Sequence, residues 1–251
     1  MADRYPIVIG NWKMKLGIPE SRELASAIKK INLNKAEVVV CPSFVSLTEV
    51  AKIVKHTDIA LGAQDCFWES HGSFTGEVSA TYLKEAGCDF VILGHSERRK
   101  YLNETDEMVH RKVGMALSAG LVPIVCVGET FEQRHDGSKD YTLIQQTTKA
   151  LEGVQIGPDQ RVIIAYEPVW VIGTGQAIEP AEAALSQQVI RQVLFDLFTP
   201  SVVKNNFSVI YGGSVDVNNT SKLISLEEND GFLVGVASQS AEEFGAIIKN
   251  L

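Results

Sequence analysis

Short runs of Val, Ile and Leu alternate with longer amphipathic stretches from one end of the chain to the other. The runs fall at residues 5–10, 37–41, 59–63, 90–93, 121–127, 161–166, 207–211 and 232–235. Few polar residues interrupt them, which is the pattern of parallel strands covered on both faces. The stretches between them place apolar residues at helical spacing, as at 19–31, 104–119 and 180–198, where Ala184, Ile190, Leu194 and Leu197 share a stripe. Ser96, before a charged turn, reads as a helix cap, and Pro180 sits where a first-turn proline is tolerated. Eight strand–helix units in strict alternation predict right-handed crossovers and a parallel sheet, either open and doubly wound or closed. The open form predicts a GxGxxG turn after the first strand, and GNWKMKLG (10–17) is not one. The expected fold class is α/β: a (β/α)8 barrel of eight parallel strands surrounded by helices. It is expected to occupy residues 1–251 as a single domain, because the soft spots at 134–140 and 227–230 are too short to separate two.

Composition narrows the partners. Lys and Arg number 23 against 31 Asp and Glu, a net charge of −8, in a chain of 251 residues that is 45% hydrophobic. The missing basic footprint argues against nucleic acid and anionic membranes, whereas a few local donors suffice for a small anionic substrate. Cys41, Cys66, Cys88 and Cys126 stand far apart without metal-ligand spacing, as reduced thiols of a cytoplasmic protein do. No apolar run approaches the ~18 residues of a membrane helix. A soluble cytoplasmic domain is expected.

In a closed parallel barrel the functional groups gather on the loops leaving the C-terminal ends of the strands. Reading just past each run yields Asn11 and Lys13; Gln64 and Asp65; His95, Ser96 and Glu97; Cys126 and Glu129; Glu167; Gly212, Gly213 and Ser214; and Gly235. Glu167, directly after an apolar strand and before Pro168, suits a general base or a structural carboxylate paired with a cation, and position alone does not choose. The residues after it mix Trp170, Val171 and Ile172 with Gly173 and Gly175, the make-up of a lid rather than of an ordinary surface loop. His95 lies at a strand end and a helix start, where backbone N–H groups and the helix dipole disfavour an imidazolium; a neutral imidazole polarises carbonyls. Lys13 is either aimed into the barrel mouth or solvated. The glycines at 212, 213 and 235 suit a phosphate cradle of loop amides, or simple turns. His56, His71, His110 and His135 end no strand run and read as structural.

The ordered segments GNWKMK (10–15), GHSERR (94–99), CVGE (126–129), AYEPVWVIGTGQ (165–176), YGGSV (211–215) and GFLVG (231–235) together resemble the triosephosphate isomerase family over the whole chain. The resemblance implies a TIM barrel isomerase of glycolysis and gluconeogenesis that interconverts dihydroxyacetone phosphate and D-glyceraldehyde 3-phosphate through an enediolate. It implies that Glu167 is the base, neutral His95 the proton relay that polarises the carbonyl, Lys13 the cation that stabilises developing charge, and Asn11 a further donor. It assigns phosphate binding to the N–H groups of Gly173, Ser214, Gly235 and Val236, and the exclusion of water from Glu167 to Ile172 and Leu233. By the same resemblance Ser96 and Glu97 support these groups and Cys126 packs behind the base. No metal and no organic cofactor are implied. Residues 64–82 resemble the loop through which family members dimerise, so a homodimer is implied, with Thr75 reaching the other subunit's site.

Three positions depart from the family. Val236 stands where a second glycine is usual, Gln176 where Lys is usual, and Val171 where Ala is usual. Val236 keeps its N–H but adds a branched side chain, which predicts a changed phosphate affinity; the other two predict changed lid timing. The rival readings are a barrel isomerase of larger sugar phosphates and a catalytically silent relative acting as a binding protein. The second predicts loss of Glu167, His95 or Lys13, and all three are present.

Overall fold

The computed structural model describes residues 5–172 and 178–251. Its strands are β1 (Ile7–Asn11), β2 (Glu37–Cys41), β3 (Ile59–Ala63), β4 (Phe90–Leu93), β5 (Val122–Val127), β6 (Val162–Tyr166), β7 (Phe207–Tyr211) and β8 (Gly231–Val234). Each pairs in parallel with the next, and β8 pairs with β1, so the sheet closes into the expected barrel. Helices α1 (Ile18–Ile28), α2 (Phe44–Val54), α3 (Ala80–Glu85), α4 (Ser96–Leu102), α5 (Asp106–Ser118) and α6 (Phe131–His135) lie in the first half of the chain. They are followed by α7 (Lys139–Leu151), α8 (Pro180–Leu197), α9 (Pro200–Asn206), α10 (Thr220–Ile224) and α11 (Ala241–Lys249).

The uninterrupted apolar runs have a two-sided explanation. Ile7 and Ile9 of β1, Val39 of β2, Phe90 and Ile92 of β4, Ile124 of β5, Ile163 and Ala165 of β6 and Leu233 of β8 pack against one another inside the barrel. Their neighbours in sequence, such as Val8, Val38, Val91, Val125, Ile164 and Phe232, pack outward against the helices. Alternate residues thus meet two different apolar layers, and no polar side is left.

Helix ends follow local chemistry. Pro180 is the first residue of α8, as expected. The stretch expected as a helix from 104 starts at Asp106, because the Thr105 hydroxyl accepts the Met108 N–H and caps α5. Ser96 is not a cap. It is the first residue of α4, and the cap is His95, whose ring accepts the Glu97 N–H.

Candidate active site

Strand parity carries two polar groups into the barrel mouth. Ile163 and Ala165 of β6 face inward, so Glu167 continues that inward file one step past the strand. Asn11, the last residue of β1, continues the inward file of Ile7 and Ile9. Glu167 is held by its N–H, which donates to the Val127 carbonyl at 2.7 Å. This approach needs Gly128, since a Cβ there would lie 1.7 Å from the Glu167 carbonyl oxygen. On β4 the inward residues are Phe90 and Ile92, and unbroken parity would turn residue 95 outward. Gly94 prevents this by taking φ +70°, a region that costs a Cβ-bearing residue energy. The Gly94 N–H donates to Glu104 Oε2 at 3.1 Å and its carbonyl accepts Arg99 Nε at 2.7 Å, which fixes the redirected chain.

These turns converge on a cavity of about 260 Å³ lined by Asn11, Lys13, His95, Glu167, Ile172, Gly212, Gly213, Ser214, Leu233, Gly235 and Val236, among others. Glu167 is 2% exposed and His95 6%. One carboxylate oxygen of Glu167 lies 3.1 Å from His95 Nε2, and the other accepts the Ser96 N–H at 2.9 Å. The Glu97 N–H donates to His95 Nδ1 at 3.2 Å. That nitrogen therefore presents a lone pair, the ring is neutral, and its one proton sits on Nε2 facing Glu167. Lys13 Nζ donates to Glu97 Oε1 at 2.6 Å. Lys13 itself has φ +52°, a strained region for a non-glycine residue. Its N–H donates to Asn11 Oδ1 at 3.0 Å, and its carbonyl accepts Gln64 Nε2 at 2.9 Å. Behind Glu167, burial and then the adjacent carboxylate hold the Cys126 thiol well above its ordinary range, so it remains a protonated donor to that carboxylate. A buried carboxylate, a neutral imidazole and an ammonium around one small cavity have the composition for proton transfer next to a carbonyl.

The profile of the triosephosphate isomerase family matches residues 6–251. The chain belongs to the triosephosphate isomerase family. A triosephosphate isomerase of Thermoanaerobacter sp. (strain X514) is 47% identical over 246 residues, covering 98% of this chain and 99% of that one. Those of Geobacter metallireducens and Dictyoglomus thermophilum are each 40% identical, covering 98% of this chain and 98% and 100% of theirs.

The other residues that the likeness to triosephosphate isomerases singled out are placed unevenly. Ile172, Ser214, Leu233, Gly235 and Val236 line it, and Val236 is 66% exposed. Gly173 and Gln176 lie outside the described residues, and Thr75 lies in an exposed segment, 71–77. Val171 is buried. Sequence reasoning noted Glu129 without giving it a role. Its backbone carbonyl accepts the Val169 N–H at 3.1 Å, and its Oε1 accepts Trp170 Nε1 at 2.8 Å and the Tyr166 hydroxyl at 3.2 Å. Burial pushes its carboxyl above the usual range against these donors. Sequence reasoning missed Arg98, Glu104 and Lys112, which surround Asp65 beside the site. The one available signal was Lys112, a charge beside the inward-facing Val109, Val113 and Ala116 of α5.

Proposed function

We propose that the protein interconverts dihydroxyacetone phosphate and D-glyceraldehyde 3-phosphate, with Glu167, His95 and Lys13 in the catalytic roles. The Glu167 carboxylate removes a proton from the carbon beside the carbonyl, and the electron pair moves onto the carbonyl oxygen to form an enediolate. The neutral His95 donates its Nε2 proton to that oxygen, and the Lys13 ammonium and Asn11 stabilise the charge. The resulting imidazolate takes the proton of the hydroxyl on the neighbouring carbon, which becomes the new carbonyl, while Glu167 returns its proton to the carbon that held the old one. The observation that carries this reading is the 3.1 Å contact between Glu167 and His95 Nε2 inside the cavity that Lys13 shares. A substrate oxygen that takes the imidazole proton also frees the carboxylate from this contact. The phosphate lies against the N–H groups of Ser214, Gly235, Val236 and Gly173, in keeping with the places of the first three on the cavity wall. The test is a coupled assay with each triose phosphate; conversion in both directions is expected, and absence of conversion refutes the assignment.

The working state is a homodimer. Loops and helices after four consecutive strands, β1 to β4, expose Met14, Val45, Phe74, Tyr82 and Tyr101. So many large apolar side chains along one edge of the mouth mark a surface for association, with Thr75 among them. The mass in solution is expected to be that of two chains, and a monomer would refute this. Four unpaired, buried cysteines accord with a cytoplasmic location. No described helix is long and apolar enough to cross a membrane.

A further inference from the structure

We infer that Gln146 of α7 is a positioning residue for Glu167, because its side-chain amide clamps the peptide group from which the Glu167 backbone hangs. The inference rests on the proposed isomerase reading. The peptide that joins Val127 to Gly128 is bonded on both sides. Its carbonyl accepts the Glu167 N–H at 2.7 Å, and its N–H donates to Gln146 Oε1 at 2.8 Å. In a trans peptide these two groups point in opposite directions, so the peptide stands between Gln146 and Glu167. A shift of one is passed to the other. Gln146 Nε2 also reaches the Gly128 carbonyl, at 3.4 Å. One side-chain amide thus binds both backbone groups of the glycine, as a neighbouring strand does, just past the end of β5.

The clamp offsets a weakness that the site itself creates. Only glycine fits at 128, since a Cβ would meet the Glu167 carbonyl oxygen, and glycine has the loosest backbone of any residue. The close approach that seats Glu167 therefore removes the local stiffness needed to hold it there. Gln146 supplies that stiffness from a separate helix. It is partly buried and stands on the stripe of α7 that buries Leu143, Thr147 and Ala150, where a polar side chain needs partners. Here the partners are the two Gly128 backbone groups. Hydrogen bonds in series polarise one another, so the bond to Gln146 strengthens the one between Val127 and Glu167. The preceding carbonyl, of Cys126, is held by Arg99 Nη2 at 3.3 Å, which leaves Gly128 as the link that depends on α7. Without the amide this peptide is free to turn, and the Glu167 carboxylate drifts from His95 Nε2, 3.1 Å away. Proton transfer is sensitive to displacements of that kind.

The experiment measures kcat and KM for a triose phosphate, the thermal melt, and hydrogen exchange of the Glu167 N–H. The proteins are the wild type, Gln146→Met, Gln146→Glu and Ala150→Gly. Gln146→Met keeps the length of the side chain and loses both bonds. Its kcat is expected to fall about tenfold, with KM within about twofold of the wild type. Its Glu167 N–H is expected to exchange about tenfold faster. Gln146→Glu keeps an acceptor for the Gly128 N–H and is expected to recover most of kcat. Ala150→Gly weakens the same helix without touching either bond, so it lowers the melting temperature and keeps kcat. If Gln146→Met does not fold, Gln146→Asn, whose amide is drawn back by one methylene, carries the same expected losses. Unchanged kcat and exchange, a change in KM alone, a Gln146→Glu variant as slow as Gln146→Met, or an equal loss of kcat in Ala150→Gly overturns the inference. An inactive wild type overturns the functional reading instead, and the exchange rate at Glu167 then still decides whether Gln146 holds this backbone.

Discussion

Two ionic clusters flank α4, and they differ in a way that separates a site from a scaffold. Glu97 of this helix pairs with Lys13 of the mouth, whereas Arg98, the next residue, faces Asp65 and Glu104. In the second cluster Lys112 reaches both oxygens of Asp65 at 2.7 and 2.9 Å and also Glu104 Oε1, while Arg98 bonds Asp65 at 2.8 Å and Glu104 at 3.1 Å. The remaining Glu104 oxygen takes the Gly94 N–H. Each carboxylate oxygen is answered, two negative charges meet two positive ones, and the cluster does not line the mouth cavity. In the first cluster Lys13 itself borders that cavity, beside His95 and Glu167, and Glu97 reaches it only through Lys13, a contact a ligand is able to replace. Saturation holds a shape; replaceable partners permit chemistry.

The largest expected effect tests the mouth cluster. Glu167→Gln should lower kcat by about 10²–10⁴-fold while leaving the thermal melt and inorganic phosphate binding in place, and retained turnover would exclude this carboxylate as the base. Next, Lys112→Met leaves two buried carboxylates with Arg98 as their one remaining cation. It should cost about 3–5 kcal/mol in denaturant titration, with kcat of the folded fraction preserved; a loss of kcat without a loss of stability would erase the distinction drawn above. Gly94→Ala links the two clusters. Its Cβ would lie 2.9 Å from Val109 Cγ2 at φ +70°, so a loss of about 1 kcal/mol or more is expected, together with a lower kcat as His95 shifts. The smallest change is Val236→Gly, which should lower KM by less than tenfold, or about 1.4 kcal/mol, and leave kcat unaltered. If neither KM nor inhibition by phosphate moved, the valine would have no bearing on the anion.

The barrel was legible because each strand's two faces meet apolar layers, so its apolar run marks the strand's bounds directly: β2, β3, β4 and β7 lie where the runs lie. That Lys13, His95 and Glu167 would meet at the barrel mouth was legible because each stands just past a strand; their roles come from the family resemblance and not from position. Other features depend on partners far along the chain. Asp65 finds Lys112, and Lys139 finds Ser186, each across 47 positions, and periodicity carries no trace of such a pairing. His95 serves as both cap and candidate electrophile, and composition-based capping rules point instead to the serine beside it.

The seat of Glu167 depends on something absent. At position 128 every coded alternative to glycine begins with the same carbon, and that carbon has nowhere to go. The rim has room for a side chain, as at the exposed Val236, but a missense change at 128 must push the chain that carries Glu167 aside.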